Sequence, residues 1–205
     1  MAASRFSSFT RVLFSFIAAT LLLTLYFASS SKPYSDTDKM STRGSDPISG
    51  LKVSLEQTTS ADSPLTITAT VTNTNDKPVT ILDYDSPLDK AALALGLLQI
   101  TPEGATEPIE LPIIQFRRVW PPSKDSLTTI PAGGSAKNEI ALKEPVVSVE
   151  DLGSKPSVKL AGQWRAVWQM EKGEISDDLL DDPTGSGGAS TGDYASEPLE
   201  LHVQK

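Results

Sequence analysis

The 205-residue sequence contains no cysteine and a single histidine, His202. Without cysteine there is no disulfide, no thiolate metal ligand and no thiol nucleophile, so stability must come from a packed core. A hydrolytic zinc site usually needs at least two histidines, and a Ser–His–Asp triad would have to use His202. H-E-x-x-H does not occur in the chain, and the G-x-S-x-G match GASTG (188–192) lies in a Gly/Ser-rich segment and not between a predicted strand and a helix, as a nucleophile elbow requires. We therefore predict neither of these hydrolytic sites and interpret His202 as an exposed strand residue.

Basic residues are also few, 18 against 26 acidic ones. Arg5 and Arg11 lie in the first thirty residues, so the remainder carries 16 basic and 26 acidic side chains and a formal charge of −10. Because an acidic body repels phosphate backbones, we predict that the protein does not bind nucleic acid.

An apolar run near the amino terminus, VLFSFIAATLLLTLYFA (12–28), follows a short basic segment and precedes small residues. Ala28 and Ser30 stand at the −3 and −1 positions of a cleavage site, so residues 1–30 are predicted to be a secretory signal peptide. The run is also just long enough to span a membrane as a hydrophobic helix, so an uncleaved signal anchor is the alternative. The body is then either secreted, or part of a single-pass membrane protein with the domain on the lumenal or extracellular side.

Residues 31–50 are polar, contain turn formers and show no periodicity, which predicts a flexible, disordered linker. From Leu51 onward, short β-like segments alternate with Pro- and Gly-containing turns. In LKVSLEQ (51–57) and LTITATV (65–71), apolar and polar residues alternate with period two, as in half-buried strands. The other segments with β character are VTILDY, LGLLQIT, IIQFRRVW, SLTTI, NEIAL, QWRAVWQM and PLELHV. We predict for 51–205 one all-β domain, an antiparallel immunoglobulin-like β-sandwich of about 7–9 strands.

Three segments of this body are expected to depart from strand structure. SPLDKAALAL (86–95) is predicted to form one or two helical turns, with Ser86 as the cap and Pro87 at the first position. VSVEDL (147–152) is predicted to form another turn. Residues 173–196 are acidic and then Gly/Ser-rich, which indicates a long mobile loop.

Three aspartates, Asp83, Asp85 and Asp89, lie at the exit of the strand predicted over VTILDY. Paired carboxylates can act as acid and base, but nothing in the sequence supplies a pocket or a cation partner for them. We interpret them as turn builders, with Asp85 or Ser86 bonding backbone amides. A hydrolase that uses Asp85 and Asp89 is an alternative.

A second acidic cluster comprises Asp177, Asp178, Asp181 and Asp182. The calcium-loop pattern D-x-[DN]-x-[DN]-G is absent there, so the sequence predicts a solvated acidic loop without a metal.

Trp164, Ala166, Trp168 and Met170 share one face of a predicted strand, and we expect them to pack between two sheets.

Arg117, Arg118 and Trp120 form the only notable basic and aromatic patch of the sequence. Two prolines follow it directly. Arginine and tryptophan are frequent at the centres of protein interfaces, so these three residues are a candidate partner contact. The alternatives are a strand end with solvated arginines and, for the contact itself, the edge strands of the sheets.

The stretch VTNTNDKPVTILDYDSPLD (71–89) resembles part of the amino-terminal pro-region of deuterolysins, which are fungal secreted zinc metalloproteases. Those regions show a strand, an Asn-rich turn, a Leu-x-Tyr strand and a Leu-Asp exit. IPAGGSAKNEIAL (130–142) resembles the family's Ala-Gly turn before a strand, and GQWRAVW (162–168) resembles its next strand. The matching positions in the first stretch are Val71, Asn73, Thr74, Leu82, Tyr84, Leu88 and Asp89.

This similarity spans Leu51 to Val203 and does not include a protease domain with His and Asp zinc ligands. It implies a stand-alone relative of the pro-domain, in which no catalytic residue is carried over. Such a module would cover the surface of a partner such as a secreted protease, as a folding aid or an inhibitor.

We therefore predict a non-catalytic secretory-pathway module that binds another protein. No catalytic, metal-binding or cofactor-binding residue is predicted, and contact with a membrane is expected only through an uncleaved amino-terminal segment. A structural cell-surface or wall-associated protein is a further alternative.

Overall fold

The computed structural model of the protein describes residues 46–58, 65–115 and 117–203. The predicted signal peptide or anchor over residues 1–30 lies outside these ranges. Within the ranges, no helix has the length and the apolar character that crossing a membrane requires.

Nine strands account for most of the regular structure in the described residues, and every pairing between them is antiparallel. They are β1 (Leu51–Thr58), β2 (Thr66–Asn73), β3 (Val79–Leu82), β4 (Leu98–Thr101), β5 (Leu127–Ile130), β6 (Ser135–Ala141), β7 (Ser157–Trp168), β8 (Ser190–Ala195) and β9 (Leu199–Glu200). The helical elements are short: α1 (Asp177–Asp181) and 3-10 helices at Pro47–Gly50, Lys124–Ser126, Val149–Leu152 and Lys172–Glu174.

The strands form two sheets. One has the order β1-β2-β6, and the other has the order β4-β7-β3-β5, with β8 and β9 also paired to β7. The main hydrophobic core contains buried side chains from both sheets, so it lies between them. The predicted all-β antiparallel fold of 7–9 strands is confirmed.

Strand β2 shows how the alternating sequence produces a buried face. Ile67, Ala69 and Val71 are fully buried, and β1 alternates half-buried and exposed residues along its whole length. Successive side chains of a strand point to opposite faces, so a period-two sequence buries one face against the core.

Strand β7 carries the tryptophans that the sequence assigns to the core. A β-bulge between Trp164 and Val167 changes which side chains face the main core. Trp164 therefore packs in the main core, whereas Ala166 and Trp168 belong to a second cluster, against which Met170 also packs. The predicted packing between the two sheets is found for Trp164. It is wrong for Ala166, Trp168 and Met170, because the bulge places them at the second cluster, which contains residues of β3, β5 and α1 and none of the other sheet.

The prediction of a long loop over 173–196 is wrong in that α1 and β8 both lie in this segment. Tyr194 of β8 packs against Trp164, with 4.8 Å between the ring centroids. It also covers Gly162, where an added Cβ would lie 2.6 Å from the Tyr194 hydroxyl oxygen. Strand β8 is otherwise polar, and Tyr194 is the residue that packs it against Gly162 of β7. Its sequence therefore shows no period-two pattern.

The ordered body begins before Leu51. Residues Pro47–Gly50 form a 3-10 helix, Pro47 is buried, and Asn75 Nδ2 donates a hydrogen bond to its carbonyl oxygen at 2.9 Å. The prediction of a flexible linker over 31–50 is therefore wrong for residues 47–50. A single buried proline produces no periodic pattern, so the sequence does not indicate that these residues pack against the domain.

The short helical elements agree with the sequence in part. Residues 86–95 form successive hydrogen-bonded turns and no continuous helix. The turn predicted over 147–152 is present as the 3-10 helix at Val149–Leu152.

Candidate interaction site

The chain leaves β3 through a hydrogen-bonded turn over residues 83–89. Ser86 is fully buried within it. The Ser86 hydroxyl donates to the carbonyl oxygen of Asp83 at 2.9 Å and accepts from the amide of Leu88 at 3.1 Å. Ser86 thus bonds a backbone amide as the sequence predicts.

Asp89 holds this turn to the rest of the fold. Its carboxylate, only 5% exposed, accepts hydrogen bonds from the amides of Asp85 at 2.8 Å and Ala91 at 2.9 Å, and it pairs with Arg118. Asn138 of β6 donates to the Asp89 carbonyl oxygen at 2.9 Å. These bonds support Asp85, whose φ of 57° is a left-handed conformation that is uncommon outside glycine.

The Asp85 side chain has a different role from the backbone cap that the sequence predicts. Arg165 Nε donates to Asp85 Oδ2 at 2.7 Å, and the Tyr194 hydroxyl donates to the Asp85 carbonyl oxygen at 2.8 Å. Asp85 therefore links the turn to β7 and β8, while Asp89 caps the backbone.

The connection between β4 and β5, residues 102–126, passes over this turn. Arg118 pairs with Asp89 and lies over the Tyr84 ring, with its guanidinium carbon 4.7 Å from the ring centroid. The Trp120 indole donates to the carbonyl oxygen of Asp181 in α1 at 3.3 Å. Two side chains thus fix the connection against the body.

The same connection exposes apolar side chains to solvent. The sequence predicts a strand over 113–120, but the described residues there form none, because no strand lies beside them. Each of the four large apolar side chains that the described residues expose falls in this segment, and each is more than half exposed: Ile113, Ile114, Val119 and Trp120.

An open groove of about 760 Å³ lies between this connection and the turn after β3. Its apolar lining includes Leu82, Tyr84 and Leu95 from the body. The polar and rim residues are Asp85, Ile113, Ile114, Gln115, Arg117, Arg118, Trp120 and Arg165. A smaller cavity of about 400 Å³ lies along residues 108–113 and shares Ile113 with the groove.

A family model for the immunoglobulin-like domain matches residues 50–203. The chain belongs to the immunoglobulin-like domain family. An uncharacterized secreted protein of Arthroderma benhamiae is 32% identical over 143 residues, which cover 69% of this chain and 70% of the relative. The predicted secreted localisation is confirmed by this relative.

The immunoglobulin-like domain brings the three predicted contact residues to one groove. Arg117 and Trp120 are exposed, whereas Arg118 is partly covered by its pairing with Asp89. His202 lies just beyond β9, is exposed, and exchanges backbone hydrogen bonds with the Gln57 side chain at 2.9 and 2.7 Å.

The second acidic cluster lies on and next to α1, with its aspartates exposed. Asp182 accepts hydrogen bonds from the amides of Gly185 and Ser186 at 3.2 and 3.1 Å. In the described part of the chain, no group of three or more His, Cys, Asp or Glu side chains is arranged to hold a metal ion.

The fold changes the titration of Asp83, which lies at the base of the turn. Burial raises the pKa of its carboxyl group to about 6, a hydrogen bond from Thr128 acts in the opposite direction, and the charge of Asp89 raises the pKa further. Oδ1 of Asp83 is buried and has no hydrogen-bond partner among the residues that the structure describes. The base of the turn therefore holds a carboxyl group that ionises near neutral pH.

Sequence reasoning missed two kinds of groove residue. Arg165 and Leu95 come from β7 and from the turns before β4, and no local pattern connects them with Arg117. Ile113 and Ile114 could have been found from the sequence, because two adjacent apolar residues stand shortly before the Arg-Arg pair. They were missed because the sequence predicts a strand there.

Proposed function

We propose that this secreted immunoglobulin-like domain is a non-catalytic module that binds another protein through the β4–β5 connection. The observation that carries the proposal is the concentration of exposed apolar side chains between residues 113 and 120. Monomeric soluble proteins rarely expose contiguous large apolar groups unless these bind something. A long connection without strands or long helices of its own is also more often functional than structural.

The contact would be centred on Trp120, Ile114 and the two neighbouring arginines. Tryptophan and arginine dominate the binding energy of many interfaces, and a few such residues supply most of it. Arg118 is already held by Asp89 and Tyr84, so the connection is preorganised and less entropy is lost when a partner binds.

The geometry favours a structural role for Asp85 and Asp89 over hydrolytic chemistry. Asp85 is held by Arg165, and Asp89 is held by Arg118 and two backbone amides. Their hydrogen-bonding capacity is thus used to build the turn that supports the groove.

The resemblance to deuterolysin pro-regions suggests the class of partner. We propose a secreted zinc protease of the deuterolysin type, which the module would cover as an inhibitor or assist as a folding aid. The match to pro-regions includes Leu82 and Tyr84, which line the groove, and Asp89, which supports it.

The experiment uses the secreted chain together with a purified deuterolysin-type protease. We expect a complex on size-exclusion chromatography and reduced proteolysis of a protein substrate. The double substitution Ile114→Ala with Trp120→Ala should weaken the complex by about 100-fold, because two anchor side chains are removed. Lys137→Ala on β6 of the other sheet serves as the control and should leave the complex unchanged.

Refolding the protease with and without the secreted chain tests the folding-aid form of the proposal. A protease that neither forms a complex nor changes its activity or refolding yield in the presence of excess chain would refute the protease partner. Equal complex formation by the double variant and the wild type would refute the β4–β5 connection as the contact.

A further inference from the structure

We infer that the groove recognises an acidic segment of its protein partner, in which a carboxylate lies next to apolar side chains. This inference rests on the proposed protein-binding function and adds the chemistry of what is bound. It follows from the way charges are distributed across the groove.

The cationic groups of the groove face solvent more than the anionic ones. Arg165 is 57% exposed and its partner Asp85 is 25% exposed, while Arg118 is 27% exposed and Asp89 only 5%. Arg117 lines the groove, is exposed, and has no carboxylate of the described residues within ion-pair distance. A ligand therefore meets guanidinium groups first.

Arg165 keeps hydrogen-bonding capacity for a ligand. It contacts Asp85 through Nε, and its two terminal nitrogens make no hydrogen bond to another described residue. A guanidinium can bind a carboxylate through two parallel hydrogen bonds, which gives direction as well as attraction. Arg117 and Arg165 thus provide donors on the same groove.

The apolar lining selects what accompanies the carboxylate. Leu82 and Leu95 contribute to the interior of the groove, and Ile113, Ile114 and Trp120 contribute to its rim. The volume of the open groove, about 760 Å³, falls in the range of protein pockets that bind small ligands. A segment with an acidic residue between apolar ones would pair with the guanidinium groups and also contact the apolar side chains of the groove.

A protein segment fits this site better than an anionic bilayer. Outside the first thirty residues the chain has a formal charge of −10, so a membrane with negative headgroups would repel most of its surface. The groove is also concave and needs a ligand that protrudes into it.

The test uses two matched peptides, acetyl-Leu-Glu-Ile-Glu-Leu-amide and acetyl-Leu-Lys-Ile-Lys-Leu-amide, with the intact secreted chain. Trp120 is the natural reporter, because it is more than half exposed while Trp164 and Trp168 are buried. Its indole NMR resonance and the tryptophan fluorescence should shift with the acidic peptide and stay unchanged with the basic one.

The variant Arg117→Glu should weaken binding of the acidic peptide about tenfold, because a charged hydrogen bond is replaced by repulsion. Lys137→Glu makes the same change of charge on the other sheet and should alter binding less than twofold. Raising the salt concentration from 50 to 500 mM should weaken binding of the wild type severalfold.

Equal binding of both peptides, no binding of either, or equal effects of Arg117→Glu and Lys137→Glu would each overturn the inference. Binding to vesicles of phosphatidylserine and phosphatidylcholine, in place of the acidic peptide, would assign the groove to a membrane surface and also overturn it.

The same variants separate this inference from the proposed function. If Trp120→Ala weakens the complex with the protease and Arg117→Glu does not, protein binding stands and acidic recognition fails. If the acidic peptide binds but no protease complex forms, the protease partner fails while the groove chemistry stands.

Discussion

Replacing Asp83 with asparagine should stabilise the protein at neutral and alkaline pH. The carboxyl group lies at the base of the turn that supports the groove, and its Oδ1 lacks a hydrogen-bond partner among the described residues. Asparagine has nearly the same shape and stays neutral at every pH. The substitution therefore removes the cost of ionising a partly buried carboxyl group and keeps the packing.

The size of the effect follows from the difference between the two pKa values of Asp83. The pKa is about 6 in the fold and 3.8 at its ordinary value, a difference that corresponds to about 3 kcal/mol. The group is not fully buried, so solvent screening lowers our expected gain to about 1–2 kcal/mol. The folded state binds the proton more tightly than the unfolded chain does. The contribution of Asp83 to the free energy of unfolding is therefore most favourable below pH 3.8. It is lost as the pH rises to about 6 and stays constant above that.

Urea unfolding of the wild type and Asp83→Asn should be measured between pH 4 and pH 8. The free energy of unfolding of the variant should exceed that of the wild type by a margin that grows with pH and levels off above about pH 6. Asp193→Asn on an exposed position of β8 is the matched control and should show no such trend. A stability difference for Asp83→Asn that is the same at pH 4 and pH 8 would refute the reasoning.

Four other substitutions test how the fold and the site are held together, each by urea unfolding. Asn73→Ala should lower the free energy of unfolding by about 2–4 kcal/mol. The fully buried Asn73 amide donates to carbonyl oxygens of the β2–β3 and β5–β6 turns, and these oxygens would lose their donor. A loss below about 0.5 kcal/mol would contradict this. Asp89→Ala should cost about 2–3 kcal/mol, since Arg118 and two amides lose their acceptor, and it should also broaden the resonances of the groove. Trp164→Ala should lower the free energy of unfolding by about 3–5 kcal/mol, because this side chain is buried, and Trp120→Ala should lower it by less than about 0.5 kcal/mol. Equal losses would show that the Trp120 indole is part of the core.

Much of the architecture follows from local patterns. Strands β1 and β2 are found where apolar and polar residues alternate, because a sheet with one buried face imposes that period. The sequence also indicates where the proposed contact lies, since Trp120 and the adjacent arginines stand beside two prolines outside any alternating pattern.

Other features depend on contacts between distant positions. Strand β8 is absent from the sequence prediction because its only large buried side chain, Tyr194, is fixed by Gly162 and Trp164 on β7. The predicted strand over 113–120 fails for the opposite reason: its residues have β character, but no neighbouring strand pairs with them.

The sequence by itself determined an all-β, cysteine-free and acidic body, because composition and period-two burial are properties of single segments. Only the tertiary structure decided that the Asp89–Arg118 pair, Tyr84 and Arg165 form one groove. The physical reason is that ion pairs and ring contacts form across tens of residues, and their geometry is set by strand register, the β7 bulge and the turn after β3, none of which a single segment encodes.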